Sequence, residues 1–447
     1  MTEFADSHSA INIPRFIKNT ITEWGLEKFT PFVIVSDNGA DVVAGIRESS
    51  QIGIRCACHT FDLILEELVG ADVHYSKIVE KTRNISNKCR NNSRLSRLVE
   101  ETQAEVNGVG LRLLSRVKTR FYSDFLQMKR LYEVKDVISG CINAYASLLR
   151  DEAQESVFVR AYSFTPEEEH LLKFYVDALT PLFNLSMDLS SDQNPTLSEI
   201  IPVVSNLIGM YRNMIETLGD DTSLVSIETC SIDVNDTHYS NFEECEHLLV
   251  ANMDVRFEVN VQEGTKFDIK FNFLRKLNEL IEKRFIRQMN IFDNECYLIS
   301  TALNPMFKLK YFREVVRDKV KTMNRDKTGD IICETTSRFP YGLADGEVER
   351  DEQDDYLSER CIPDNLQFKD VLAYWEGRRN VFPNLYKMAR KYLCLLSTSC
   401  SSERLFSCSS LYYTKFRTRM LPSILEDECL LKSYIDAHGV HGLLGIK

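Results

Sequence analysis

The sequence predicts a mixed fold, an α/β unit joined to a large all-α body. Three observations carry that expectation. The run Phe32-Val33-Ile34-Val35 is β-branched and aromatic, the composition of a strand covered on both faces. From Tyr75 onward the apolar period changes to that of a helix and stays there. With 447 residues, 44% of them hydrophobic, the chain can bury at least one substantial core and is expected to contain two or three structural units.

Taken in order, the strand at Phe32 to Val35 is followed by Asp37, just past its carboxyl end, where an open α/β sheet collects ligands and catalytic groups. Ala40 to Arg47 reads as a short helix and Ile52 to Cys56 as a second strand. Thr60 to Val69 reads as a helix with the apolar face Phe61, Ile64, Leu65 and Leu68. Two strands are too few for a whole sheet, so the chain is expected to begin inside a domain. Glu167 to Leu185 carries Leu171, Leu172, Tyr175, Leu179 and Leu182 at helical spacing, with Pro181 expected to kink or interrupt it. Phe271 to Gln288 is another long helix. Near the end, Phe382, Leu385, Met388, Ala389 and Tyr392 mark one amphipathic helix, and Pro422 opens another with Ile424, Leu425, Leu431 and Ile435. The expected organisation is an α/β part at 1–75, a helical region at 76–340 with an acidic loop near 216–254, an acidic linker at 341–367, and a helical tail at 368–440.

Composition limits the function classes. The N-terminal sequence lacks the charged-then-apolar order of a signal peptide, and no run of eighteen uncharged apolar residues occurs. A membrane partner is therefore not expected. Thirteen cysteines, odd in number and without short repeated spacings, fit reduced thiols in the nucleus or cytoplasm. The net charge of −12 opposes phosphate binding by the whole surface. Acidic charge is concentrated, however, between Tyr341 and Arg360 and from Glu216 to Asp254, whereas Lys77, Lys81, Arg83, Lys88, Arg90, Arg94 and Arg97 form a basic stretch. Any one of these cations can equally be part of a solvated helix face.

Four separated segments point to one family. Val35-Ser36-Asp37-Asn38-Gly39-Ala40-Asp41 with Cys56-Ala57-Cys58-His59-Thr60-Phe61-Asp62-Leu63, then Lys118-Thr119-Arg120-Phe121-Tyr122-Ser123, then Ala302-Leu303-Asn304-Pro305 with Phe307-Lys308, stand in that order. The fourth is the C-terminal run Tyr374-Trp375, Phe382-Pro383, Ser402-Glu403-Arg404-Leu405-Phe406-Ser407, with Arg417 and Arg419. Together they resemble the hAT-superfamily transposases, including their C-terminal dimerisation region.

That resemblance implies a ribonuclease-H-like catalytic core interrupted by a large helical insertion, with three carboxylates binding Mg2+ or Mn2+ for DNA strand cleavage and transfer. Clustered carboxylates are needed there because two close metal ions must be neutralised. Asp37 matches the second acid and Glu403 the third, as catalytic and metal-ligating positions. The first acid belongs on an earlier strand, which this chain is expected to start too late to contain, and the family's BED zinc finger is likewise expected to be lacking. The chain is accordingly expected to lack strand-transfer activity and to need no cofactor. The same resemblance makes His59, Arg120, Phe121 and Arg404 DNA-contact candidates, with Phe121 in place of the family's stacking tryptophan. Trp375, Phe382, Leu385, Leu405 and Phe406 are to be divided between core and dimer interface, with a second copy or another hAT-type protomer as partner.

Blander readings stand beside these. Asp37 can be a helix N-cap and Glu403 a helical acid paired with a neighbour such as Arg404. Phe121 can be a core aromatic. Cys56, Cys58 and His59 suggest zinc, but no second ligand pair stands at a suitable spacing, so a buried cysteine beside a hydrogen-bonded histidine is expected. Two further functions compete with a dimerising transposase-derived protein: an active transposase seen without its N-terminal part, and a helical scaffold with no nucleic-acid role.

Overall fold

The computed structural model describes residues 9, 11–29, 33–107, 113–114, 122–149, 151–190, 195–219, 264–324, 352–362, 371–412, 421, 424–425, 427–432 and 434–435. Phe32, Lys118, Arg120, Phe121, Pro422 and most of the two acidic segments lie outside them, as do Arg417 and Arg419. The chain forms two compact units, one built from 1–59, 188–197 and 394–447, the other from 60–187 and 198–393.

The first unit gathers its pieces from three distant parts of the sequence. Strand β1 (Val33–Ser36) pairs in parallel with β2 (Ile52–Arg55), Val33 opposite Ile52 and Ser36 opposite Arg55. A parallel pair needs a crossover, and α2 (Ala40–Glu48) supplies it. Helix α1 (Asn12–Glu23) lies against α2 at Gly45, where a Cβ would stand 2.6 Å from Ile13. The C-terminal segment returns to this sheet: the Ala57 amide donates to the Ser397 carbonyl at 2.9 Å, and Leu197 donates to Leu395 at 3.2 Å. Buried hydroxyls of Thr196 and Ser397, 2.7 Å apart, tie the 195–197 strip to the same segment.

The second unit is helical. Helix α3 (Ala57–Ala71) starts with the first unit and contributes its remaining turns here, three residues earlier than periodicity predicts. Asp72 then breaks it and caps α4 (Val73–Asn91), accepting from the amides of His74 and Tyr75 at 3.0 and 2.9 Å. Helices α5 (Ser93–Asn107), α6 (Ser123–Glu133) and α7 (Lys135–Ala146) enclose a core of Ile85, Leu95, Val99, Leu131, Ile138 and Ile142, flanked by α8 (Glu152–Tyr162). Helix α9 (Pro166–Leu189) runs through Pro181 without a break, contrary to an interruption there. Proline removes one donor from the ladder. Its cost is carried by a turn packed on buried Leu179 and Leu182.

Helix α10 (Ile200–Gly219) packs on α11 (Gly264–Ile281), which continues as a π-helical turn from Glu282 to Gln288. Tyr75, Tyr175 and Phe273 meet with ring centroids 4.7–5.3 Å apart. Beyond α12 (Glu295–Leu303) come α13 (Glu352–Ser358), α14 (Val371–Gly377) and α15 (Pro383–Tyr392), whose aromatics Tyr356, Trp375 and Phe382 form one buried group. Helix α16 (Cys400–Tyr412) belongs to the first unit. Observed strand content is limited to β1 and β2 among the described residues. The molecule is thus mainly helical with a minor parallel sheet.

Candidate functional site at the carboxyl end of the parallel pair

Both strands of the first unit end on residues with chemistry. Asp37 follows β1, exposed, and its Oδ1 accepts from the Gly39 amide at 3.1 Å. The N-cap of α2 is Gly39, with no side-chain cap, so Asp37 shapes the turn before the helix and is not its cap. Glycine at 39 permits that turn: a Cβ there would also lie 3.1 Å from the same carboxylate oxygen.

Cys56 ends β2 and is completely buried. Its amide donates to the Ser36 carbonyl at 2.7 Å, and its Sγ accepts from the amides of His59 at 3.4 Å and Ser399 at 3.3 Å. Ser399 in turn donates from Oγ to the Glu403 carboxylate at 3.4 Å. A continuous chain of bonds therefore runs from the end of β1, beside Asp37, through Cys56 and Ser399 to Glu403 on α16. Glu403 is thus linked to the strand end that Asp37 follows, while the Asp37 carboxylate is bonded within its own turn to Gly39.

The thiols in this node are held protonated. Cys56 is raised far above the ordinary thiol range by its hydrogen bond with Cys400 and by burial. For Cys400 the bond with Cys56 acts downward, but the bond with Cys58 and burial outweigh it and push the group up to about 12. Cys56 is buried as expected, and the bond it accepts from His59 comes from that residue's backbone amide; His59 itself is half-buried. Arg404, exposed, donates from Nη2 to the Ser190 carbonyl at 2.7 Å, which ties α16 to the 188–197 segment.

Two divalent ions need a fuller shell than this node provides. Among the described residues no group of three or more His, Cys, Asp or Glu side chains is arranged to hold a metal ion. Asp37 and Glu403 already accept bonds from the protein itself. These residues alone do not make a two-metal set.

The tail residues separate cleanly by environment. Trp375, Phe382 and Leu385 are 1%, 4% and 1% exposed, buried within the second unit. The indole Nε1 of Trp375 donates to the Leu303 carbonyl at 2.9 Å, and Lys308 donates from Nζ to the carbonyls of Tyr356 and Glu359 at 2.5 and 2.6 Å. The Leu303 to Lys308 segment thus serves as the anchor of α13 and α14. Leu405 is half-buried, whereas Phe406 is 59% exposed, as are large parts of Leu421, Ile424, Leu430, Leu431 and Tyr434. Among basic residues, Lys81 pairs with Glu168 and Arg83 with Asp124 at 2.5 Å each, and Lys88 stands 5.2 Å over the Phe158 ring. Lys81 and Arg83 are thus neutralised by carboxylates of the second unit. Arg120 and Phe121 fall outside the described residues.

Sequence reasoning missed Cys400 and Glu352. Cys400 carries no spacing signal, because its partners are more than three hundred positions away. Glu352 sits in an acidic run read as a linker, yet its carboxylate accepts from the amides of Asn384 and Leu385, each at 3.0 Å, and caps α15.

Residues 352–435 match the hAT family C-terminal dimerisation region. The chain is 30% identical over 124 residues to the putative AC transposase of Zea mays, covering 27% of this chain and 15% of that protein. It is 20% identical over 416 residues to zinc finger BED domain-containing protein 6 of Mus musculus, and 18% over 402 residues to zinc finger BED domain-containing protein 4 of Homo sapiens. Those alignments take in 90% of this chain but 40% and 30% of the two relatives, so the chain spans less than half the length of each relative. Together these matches support membership of the hAT superfamily and descent from a transposase. Among the described residues no helix is long and apolar enough to cross a membrane.

Proposed function

We propose that this hAT-superfamily protein works by self-association through its C-terminal region, in the nucleus, with weak residual affinity for DNA and without strand transfer by this chain alone. The observation that carries the reading is the exposure of Phe406, Ile424, Leu430, Leu431 and Tyr434 inside the segment that matches the dimerisation region. Several large apolar side chains exposed within one short region favour a protein partner, and a second copy presents the same surface. Within such an interface Phe406 and Leu405 are the contact residues. Trp375, Phe382 and Leu385 act as the core that holds the region's shape.

The remnant of a ribonuclease-H-like core is the β1–α2–β2 unit, with Asp37 at the end of β1 and Glu403 on α16. Two carboxylates, both bonded to the protein, support an ancestral Mg2+ or Mn2+ site whose ligand set is not completed by the described residues. Arg404 and His59 flank it as the DNA-facing residues, with Arg120 and Phe121 as further candidates. The test for DNA is a mobility shift across a salt series, with the same samples assayed for nicking in Mg2+ or Mn2+. Binding that fades as salt rises, with no nicking, is the expected result. Metal-dependent nicking abolished by Asp37→Ala would replace this reading with that of an active transposase core, the second reading, which the bond chain from the strand ends to Glu403 favours.

A further inference from the structure

Three buried cysteines meet where the C-terminal segment reaches the sheet. Cys56 closes β2, Cys58 lies in the first turn of α3, and Cys400 opens α16. Their exposures are 0%, 1% and 5%. The Cys400 thiol is hydrogen-bonded to both Cys56 and Cys58. The backbones that carry them are in direct contact, through Ala57 amide to Ser397 carbonyl at 2.9 Å and Ser399 amide to Cys56 Sγ at 3.3 Å. Abutting backbones and hydrogen-bonded thiols bring the sulfurs close, the first condition for a disulfide. All three belong to the first unit.

We propose that Cys56 and Cys400 form a reversible disulfide under oxidation, pinning the start of α16 to the end of β2. The oxidant is a small disulfide such as oxidised glutathione. Because the folded thiol is protonated and buried, the step runs through local opening of the start of α16: Cys400, the less buried of the pair, then ionises and attacks one sulfur of that disulfide as its thiolate; the glutathione S–S bond breaks and one glutathione thiolate leaves. Cys56, deprotonated in turn, attacks the mixed-disulfide sulfur on Cys400, and the second glutathione departs. Two protons and two electrons thus leave the protein, and one glutathione disulfide becomes two glutathiones. The bridge fixes the turn that carries Ser399 and the helix that carries Glu403 and Arg404. It closes a loop between residues distant in sequence, which restricts the unfolded chain. Burial keeps both thiols intact under reducing conditions, so the bridge marks a change in redox environment.

The test is to incubate the folded full chain with oxidised glutathione, block remaining thiols and map disulfides by mass spectrometry of non-reduced tryptic peptides. Cys394 shares a tryptic peptide with Cys400 and is exposed, so the Cys394→Ser variant is used as the parent. The expected product links Cys56 to Cys400, is reversed by dithiothreitol, persists in Cys58→Ser, and raises the melting temperature by roughly 2 °C or more. Two results overturn the proposal. One is a folded protein whose Cys56 and Cys400 remain fully alkylatable after oxidant treatment and denaturation, while the same chain oxidises when treated in urea. The other is a bridge from Cys400 to Cys58 with Cys56 left as a thiol.

Discussion

A β-carbon at Gly45 would stand 2.6 Å from both Cβ and Cγ2 of Ile13, closer than carbon atoms approach without displacement. The side-chain-free surface of α2 is what lets α1 lie against it, and the β1–α2–β2 unit depends on that packing. Gly45→Val is expected to destabilise the protein by about 1–3 kcal/mol, the usual cost of overpacking. Ile13→Ala in the same chain should restore part of that loss, because it removes Cγ2, one of the two atoms that collide. Chemical denaturation of the two single variants and the double variant measures the coupling. Strictly additive losses would place the strain elsewhere.

The residues legible in the sequence were those whose chemistry coincides with a local pattern. Asp37 stands at the end of an apolar run, and its position at the strand's carboxyl end follows from that run alone. Glu403 was legible through the motif around it, not through any periodicity. Cys400 was not legible: zinc reasoning searches for ligand pairs at short spacing, and a single cysteine far along the chain offers none. The role of Asp37 as a turn former beside Gly39, in place of a helix cap, needed backbone geometry that the sequence leaves open between neighbouring positions.

At the scale of elements, α15 begins with Pro383, preset for the first helical turn, and borrows its cap from α13. The Glu352 carboxylate accepts from the Asn384 and Leu385 amides and from the Asn384 side chain at 3.0 Å, and it lies at the positive end of the helix. Removing it leaves those donors without their acceptor. Glu352→Ala is expected to cost about 1–2 kcal/mol and Glu352→Gln less, since an amide oxygen still accepts. Equal losses for both variants, measured by urea unfolding, would show that charge and not the hydrogen bonds dominates. Helix positions in this tail followed from the apolar spacing of Leu385, Met388, Ala389 and Tyr392, all of which are buried. The cap did not, because a carboxylate in an acidic run looks the same whether it faces water or a helix end.

Across the molecule, the second unit holds Tyr75, Tyr175 and Tyr211 fully buried, and burial, the main cause for each, raises their phenols well above the ordinary value. These groups stay neutral in the folded protein while the unfolded chain ionises above pH ~10. Their contribution is therefore intact below that pH and is lost as pH rises beyond it. Each should cost about 1.4 kcal/mol of stability near pH 11, or roughly 4 kcal/mol for the three. Tyrosinate absorbance and unfolding are expected to rise together in an alkaline titration. Early ionisation of all tyrosines with the fold intact would contradict the burial.

Self-association is the central claim, and deletion of the tail cannot test it cleanly. Trp375, Phe382 and Leu385 are built into the protomer's own core, so truncation before them removes packing as well as any interface. Phe406 and Leu430 are exposed and can be changed without opening that core. The direct measurement is the solution mass of the full chain and of Phe406→Asp/Leu430→Asp, by light scattering at micromolar concentration. The expected result is a dimer for the unaltered chain and a folded monomer for the variant, with unchanged circular dichroism. An unaltered chain that stays monomeric, or a variant that still dimerises, would contradict the assignment of this surface as the interface.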